Sequence, residues 1–279
     1  MVQASSSLLL LGGTGPVGHF LRQRLVGQGV SVMAVSRQVP SVRLPHEIWF
    51  QHDLEAGAMG SHANAMVSLG PLSHALAELE VNPRLGRVVA LSSASTQFKQ
   101  HSPDPLEREQ IRQLSDAEQR LKDRCQTRGI GLTLLKPTLI YAPGLDKNLS
   151  RVGGWLEQLT VAPCAGRGLR QPVHADDLAG LIVRCLVGGA RSEGAWLLGG
   201  GEVINYPAML RRIAAAKGRR LRVIPVPAWT LKLLLKLAHG RGRLSGVRSV
   251  MIDRQKVDLL VDDSPARERL GWAPRPFRP

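Results

Sequence analysis

The 279-residue sequence predicts an α/β chain, a doubly wound parallel sheet with helices on both faces and a smaller C-terminal α/β subdomain. Three observations predict it. A short apolar run breaks into a glycine turn and a helix-spaced segment; short apolar strands and helices then alternate to about residue 145; beyond that the elements shorten. The larger unit takes in 1–145 with about 170–187, and the smaller one about 146–169 and 188–279. With 43% hydrophobic residues, a chain of this length has ample material for a core.

The first strand is the run Leu8 to Leu11, bounded by Gly12. Glycines at 12, 15 and 18 let the backbone turn sharply, approach a pyrophosphate and pack the next helix onto the strand. That helix's free N–H groups and dipole favour phosphate charge. Val17, Phe20, Leu21, Leu25 and Val26, with Arg22 and Arg24 between them, give it helical spacing. Gly29 ends it and residues 30–35 form a second apolar strand, so the glycine turn lies in a βαβ unit, the context that makes it a dinucleotide site. Gly12, Thr14, Gly15, Pro16, Val17 and Gly18 are its candidate residues. Ser36 and Arg37 follow the second strand, where an acidic residue would suit ribose hydroxyls and an arginine a 2′-phosphate. No Asp or Glu comes before Glu47, which favours NADP while leaving NAD possible.

These residues resemble the extended or atypical short-chain dehydrogenases/reductases, the superfamily of NAD(P)-dependent epimerases and dehydratases. The resemblance implies a Rossmann-type sheet with its ligand cleft at the carboxyl ends of the strands. A third strand at 47–51 leads to Asp53 and Leu54, similar to the Asp-Leu pair whose carboxylate contacts the adenine amino group in that superfamily. A fourth at 65–69 ends in Leu69, Gly70 and Pro71, and a helix carrying Leu72, Leu76 and Leu79 follows. The fifth, 87–91, runs into Ser92-Ser-Ala-Ser-Thr96 and resembles the strand ending in the family's catalytic Ser or Thr. After a loop at 99–105 come a charged helix at 106–128 and a sixth strand at 131–141, in which Lys136-Pro137 stands where the family has Arg-Pro near the nicotinamide.

The family's catalytic pattern is broken. It uses a Tyr as acid/base, a Lys four residues later and a Ser or Thr that polarises the substrate oxygen. Matching residues 117–121 to the end of the family's Tyr-Lys helix puts Gln110 and Leu114 at those two positions. The chain has only Tyr141 and Tyr206 and no Tyr-x-x-x-Lys, so the absence does not depend on the alignment. The catalytic Ser position falls nearest Ala94, leaving Ser93 and Ser95 as candidates that turn chemistry would explain equally. Tyr141 and His174 are candidate substrate contacts, and Asp176 or Asp177 is expected to cap the helix running to about residue 186.

Farther on, the pattern suggests helices at 149–159, 206–217 and 229–239 and strands at 195–198 and 221–227, an order resembling the small substrate domain of nucleotide-sugar epimerase relatives. The 229–239 helix carries Lys232 and Lys236 on one face among leucines. It is read first as a core helix roofing the cleft, the other reading being a membrane-interface or partner helix.

Charge is uneven: the net +15 divides into +3 over 1–140 and +12 over 141–279, with eleven basic and no acidic residues from Arg211 to Arg248. That stretch could draw a phosphorylated substrate, a peripheral membrane surface or a protein partner, whereas few interleaved aromatics make nucleic acid unlikely. Cys125, Cys164 and Cys185 lack disulfide or metal spacing and read as buried thiols of a reducing cytoplasm, with no metal expected. No signal-peptide pattern or membrane-spanning stretch is seen. The expected function is NAD(P)-dependent oxidoreductase or epimerase chemistry on a small anionic substrate with a non-standard active site. The alternative is a non-catalytic dinucleotide-binding sensor or a structural subunit of a larger assembly.

Overall fold

A computed structural model describes residues 7–45, 47–146, 149–157, 159–239 and 248–279. The first half is β1 (Ser7–Leu11), α1 (Pro16–Val26), β2 (Ser31–Ser36), β3 (Glu47–Gln51), β4 (Ala65–Ser68), α2 (Leu72–Val81), β5 (Arg87–Leu91), α3 (Ser95–Phe98), α4 (Pro105–Thr127) and β6 (Gly131–Pro137). Then come β7 (Ile140–Tyr141), α5 (Leu149–Leu156), β8 (Val161–Cys164), β9 (Leu169–Arg170), β10 (Val173–His174), α6 (Ala175–Val187), β11 (Gly194–Leu198) and β12 (Ile204–Asn205). The last elements are α7 (Tyr206–Ala216), β13 (Arg222–Pro225), α8 (Ala228–His239), α9 (Ser249–Asp253) and α10 (Ser264–Leu270).

Seven strands form one parallel sheet in the order β11-β6-β5-β4-β1-β2-β3, as the sequence predicts for a doubly wound α/β chain. The alternation of a strand's side chains divides β1 between two cores. Leu8 and Leu10 pack with Leu21 and Leu25 of α1 and Leu178 and Ile182 of α6, while Leu9 and Leu11 pack with Leu76 and Leu79 of α2 and Leu121 of α4. A third core joins Leu149 and Leu156 of α5 to Met209, Leu210 and Ile213 of α7 and to Phe277.

Four expectations are corrected. The sixth strand stops at Pro137, whose missing N–H ends the ladder, and the chain resumes as β7, which pairs with β10 outside the main sheet. The strand near 195–198, assigned by sequence to the smaller unit, is the edge strand of the central sheet: β11 pairs with β6 from Gly194↔Thr133 to Leu198↔Pro137 and buries Trp196 and Leu198 in the first core. The α6 cap is neither aspartate. His174 is the N-cap, its Nδ1 accepting from Asp176 N at 3.1 Å, which leaves Asp176 and Asp177 to bind Arg275. Finally, α8 is not a core helix: Leu235 is buried, but Trp229 is 68% exposed and Leu233, Leu234 and Leu237 are each 51% exposed. Residues 240–247 of the basic stretch lie outside the described residues.

Candidate active site

Backbone geometry builds the first part of the site. Gly12 has φ +82°, open to glycine at little strain, and a Cβ there would lie 3.2 Å from the Leu69 carbonyl carbon, so the turn rests on the end of β4. Gly15 N–H closes the turn on the Gly12 carbonyl at 3.1 Å, and Gly15 is the N-cap of α1 with Pro16 in its first turn. A Cβ on Gly18 would come within 2.6 Å of the Gly12 and Gly13 carbonyls, so α1 sits directly on the turn. A helix start leaves its first N–H groups without intrahelical acceptors, here beside exposed Thr14 and above buried Val17. This cradle, which two of its glycine positions could not form with a Cβ, fits a dinucleotide pyrophosphate. Gly13, which the sequence reading passed over, also belongs to it: a Cβ there would meet the Trp49 ring at 3.3 Å.

The remaining cofactor candidates gather at the same sheet edge. Leu69 N–H donates to the Leu11 carbonyl at 2.9 Å, bringing Leu69 and Gly70 beside the turn, and His52 N–H donates to the Ser36 carbonyl at 3.1 Å, joining the ends of β2 and β3. Arg37 and Asp53 are exposed just beyond those ends, with Asp53 Oδ1 accepting from Glu55 N–H at 3.1 Å and Leu54 packed on the second core. Glu47 is committed elsewhere, to Arg22 at 2.7 and 2.8 Å and to Trp49 at 3.0 Å.

At the ends of β5 and β6, Ser92 N–H and Ala94 N–H donate to the Leu135 and Pro137 carbonyls at 2.8 and 2.9 Å, which fixes the serine loop beside Pro137. Ser93 Oγ accepts from Ser95 N–H at 3.1 Å, turn chemistry that leaves its own proton available. Ala94 is fully buried, Gln110 faces solvent and Leu114 packs on the second core. Beside the serine loop, Glu118 of α4 accepts from Ser92 Oγ and pairs with Lys136 Nζ at 2.8 Å.

From this loop a cleft of about 540 Å³ opens, walled by Ser92, Ser93, Ser95, Lys99 and Pro137 on one side and by Arg170, Tyr206 and Arg254 of the C-terminal elements on the other. Arg170 is buried and aimed by the carbonyls of Leu169, Val257 and Arg254, with its guanidinium 5.5 Å from the Tyr206 ring. Burial pushes the Tyr206 phenol up and the Lys99 amine down, the latter helped by the charge of Arg254. Beneath them lies Glu107, which binds Arg254, Arg248 at 3.2 Å and Ser102 at 2.8 Å and lies 3.7 Å from Lys99. Burial alone would raise its pKa, but hydrogen bonds from Arg254 and Ser102, with the Lys99 charge, hold it below the usual glutamate range.

Tyr141 and His174, the substrate candidates, do not line this cleft. Tyr141 is buried, stacks edge-on against His174 with centroids 5.0 Å apart and accepts from Arg278 N–H at 3.1 Å through its hydroxyl. Sequence reasoning missed Lys99, Arg170, Tyr206 and Arg254. The basic excess after residue 141 was a signal for the arginines as a group, but nothing local distinguished these two. Among the described residues no group of three His, Cys, Asp or Glu could hold a metal ion.

No family model matches the chain. Its sequence is 28% identical over 162 residues to a UDP-glucose 4-epimerase of Vibrio cholerae, a match covering 57% of this chain and 47% of that protein, so it spans about half the length of the relative. The fold matches solved structures end to end. A UDP-N-acetylglucosamine 4-epimerase from Bacillus cereus superposes with a TM-score of 0.70 at 13% identity, covering 98% of this chain and 92% of that one. A UDP-glucuronic acid 4-epimerase from the same species, solved with NAD, gives 0.70 at 13% over 97% and 92%, and a Thermotoga maritima UDP-glucose 4-epimerase solved with UDP-glucose gives 0.67 at 15% over 97% and 94%.

Proposed function

We propose, starting from a chain that resembles the extended short-chain dehydrogenases/reductases in sequence and fold, that this protein binds an NAD(P) dinucleotide and acts on a small anionic substrate of the nucleotide-sugar kind. The observation carrying this reading is that the glycine cradle after β1 and the cleft lined by Lys99, Arg170 and Arg254 beyond β5 and β6 both lie at the carboxyl ends of one parallel sheet. Gly12, Thr14, Gly15, Pro16, Val17 and Gly18 would hold the pyrophosphate, Asp53 and Leu54 the adenine, and Leu69, Gly70 and Pro137 the nicotinamide half. Bound there, the dinucleotide would supply hydride acceptance or donation. Arg37, exposed at the end of β2 with Glu47 engaged elsewhere, supports a preference for NADP over NAD.

With tyrosine and lysine absent from their usual places, the groups left at the cleft wall are the hydroxyls of Ser93 and Ser95 and the amine of Lys99. The serines would polarise a substrate oxygen, and an amine whose pKa burial has lowered exchanges a proton near neutral pH more readily than an exposed lysine. Cys125, Cys164 and Cys185, all free and buried, support a cytoplasmic location.

Calorimetric titration with NADPH and NADH, repeated on Arg37→Asp, tests the cofactor. Tight NADPH binding that weakens in the variant is expected; binding of neither nucleotide overturns the reading. Turnover is then followed with UDP-sugars, and Lys99→Met is expected to abolish it while leaving nucleotide affinity unchanged. A second reading, dinucleotide binding without turnover, is favoured by Gln110 and Leu114. NADPH binding with no conversion of any such sugar would select it.

A further inference from the structure

Helix α8 is apolar on two opposite sides. At about 100° per residue, Trp229, Leu233, Leu237 and Leu234 fall on one arc roughly 140° wide, while buried Leu235 lies across the axis from it. Leu235 anchors the helix to the protein. A second tie is the ion pair of Lys232 with Asp253 of α9 at 2.8 Å, so the helix is held with its other apolar side in solvent. An ordinary surface helix is polar there.

We infer that the outward face of α8 is a docking surface for an anionic lipid bilayer. Leucines with a tryptophan on one arc and lysines along its border are the composition of a helix lying in the plane of a membrane interface, the indole at headgroup depth and the aliphatic chains just below. Among the described residues no helix is long and apolar enough to cross a membrane, so contact would be peripheral. Charge selects the lipid: exposed Lys236 belongs to the stretch from Arg211 to Arg248 that holds eleven basic residues and no acidic one, and although Arg212, Lys217, Lys232 and Arg248 are paired with carboxylates from outside it, the stretch keeps an excess of positive charge complementary to anionic headgroups. The same charge argues against a second copy of the chain as occupant, since joining two copies would bring two net charges of +15 together.

The test uses the full chain. Co-sedimentation is measured with vesicles of phosphatidylcholine alone and of phosphatidylcholine mixed with phosphatidylglycerol, for the parent protein, Leu233→Gln/Leu234→Gln and Lys236→Glu. These side chains are exposed, so unchanged thermal unfolding is expected and separates lost docking from lost folding. Partition onto the mixed vesicles should exceed that onto phosphatidylcholine and drop roughly tenfold or more in the leucine variant, with a smaller drop in Lys236→Glu that high salt removes from the parent as well. The chain has five tryptophans, so insertion is read by difference: a vesicle-induced blue shift of emission should shrink in Trp229→Phe. Equal binding to both vesicle types, no binding to either, or undiminished binding of the leucine variant overturns the inference. Self-association that the leucine substitutions abolish, without vesicle binding, would assign the face to a second copy instead.

Discussion

Gly18 meets the carbonyls of Gly12 and Gly13 so closely that a methyl group has no room, and those carbonyls are backbone that cannot step aside alone. Gly18→Ala should therefore lift α1 off the turn, at about 1–3 kcal/mol of stability, and weaken dinucleotide affinity with it. Urea unfolding and calorimetry on the same sample check both. Glu107 offers a different kind of test, because it is a buried carboxylate in the middle of Arg248, Arg254 and Lys99. Glu107→Gln leaves those cations facing a neutral amide, and the expected loss is about 3–5 kcal/mol. Its folded pKa lies below the unfolded value, so its contribution is complete above the usual glutamate range and is lost as the pH falls through the folded value. The acid limb of an unfolding-against-pH curve should flatten in the variant. The glycines were legible in the sequence because what they permit is local, a turn within a few residues. The Glu107 cluster was not, since Arg248 and Arg254 arrive from 141 and 147 residues away.

At the level of elements, α6 depends on a histidine for its start. The cap works through neutral Nδ1 as an acceptor, and burial, followed by the charge of Arg275, pushes the His174 pKa down. The unfolded chain therefore binds the proton more readily than the folded one: this stabilisation is complete above the ordinary histidine pKa and is lost as pH falls below it toward the folded value. His174→Asn should keep the cap yet remove that dependence, while His174→Ala should lose about 1 kcal/mol near neutral pH; thermal unfolding at mildly acid and neutral pH distinguishes the three proteins. Sequence pattern located α6 and its beginning but named the wrong cap, because aspartates are the commoner N-cap residues and their pairing with Arg275 depends on the tertiary fold. With α8 the failure has another cause. Leucines on nearly every side give a helix whose length is clear and whose inward face is not, and only the packing of Leu235 shows which side the protein uses. For β11, five residues between glycine-rich stretches carried no hint of the sheet they complete.

Across the whole molecule, the doubly wound order places the glycine cradle, the Asp53 loop and the serine loop along one edge, and the cleft opens between that edge and the C-terminal elements. A dinucleotide bound only by the folded chain should raise stability by about 2.7 kcal/mol at a hundredfold excess over its dissociation constant, visible as a concentration-dependent rise in Tm that Arg37→Asp diminishes. The general outline of this arrangement could be read from strand and helix alternation. The cleft's far wall could not, because it depends on how β9, α7 and the segment after α9 fold back over the sheet. The parallel sheet also governs the time the chain needs to find its shape. None of its ladders is a hairpin: Leu8 must meet Ala65, Arg87 must meet Gly131, and Thr133 must wait for Gly194. Each pairing closes a long loop before any contact repays the lost entropy, so refolding should be slow for a chain of this size, with apolar strands exposed until their distant neighbours arrive.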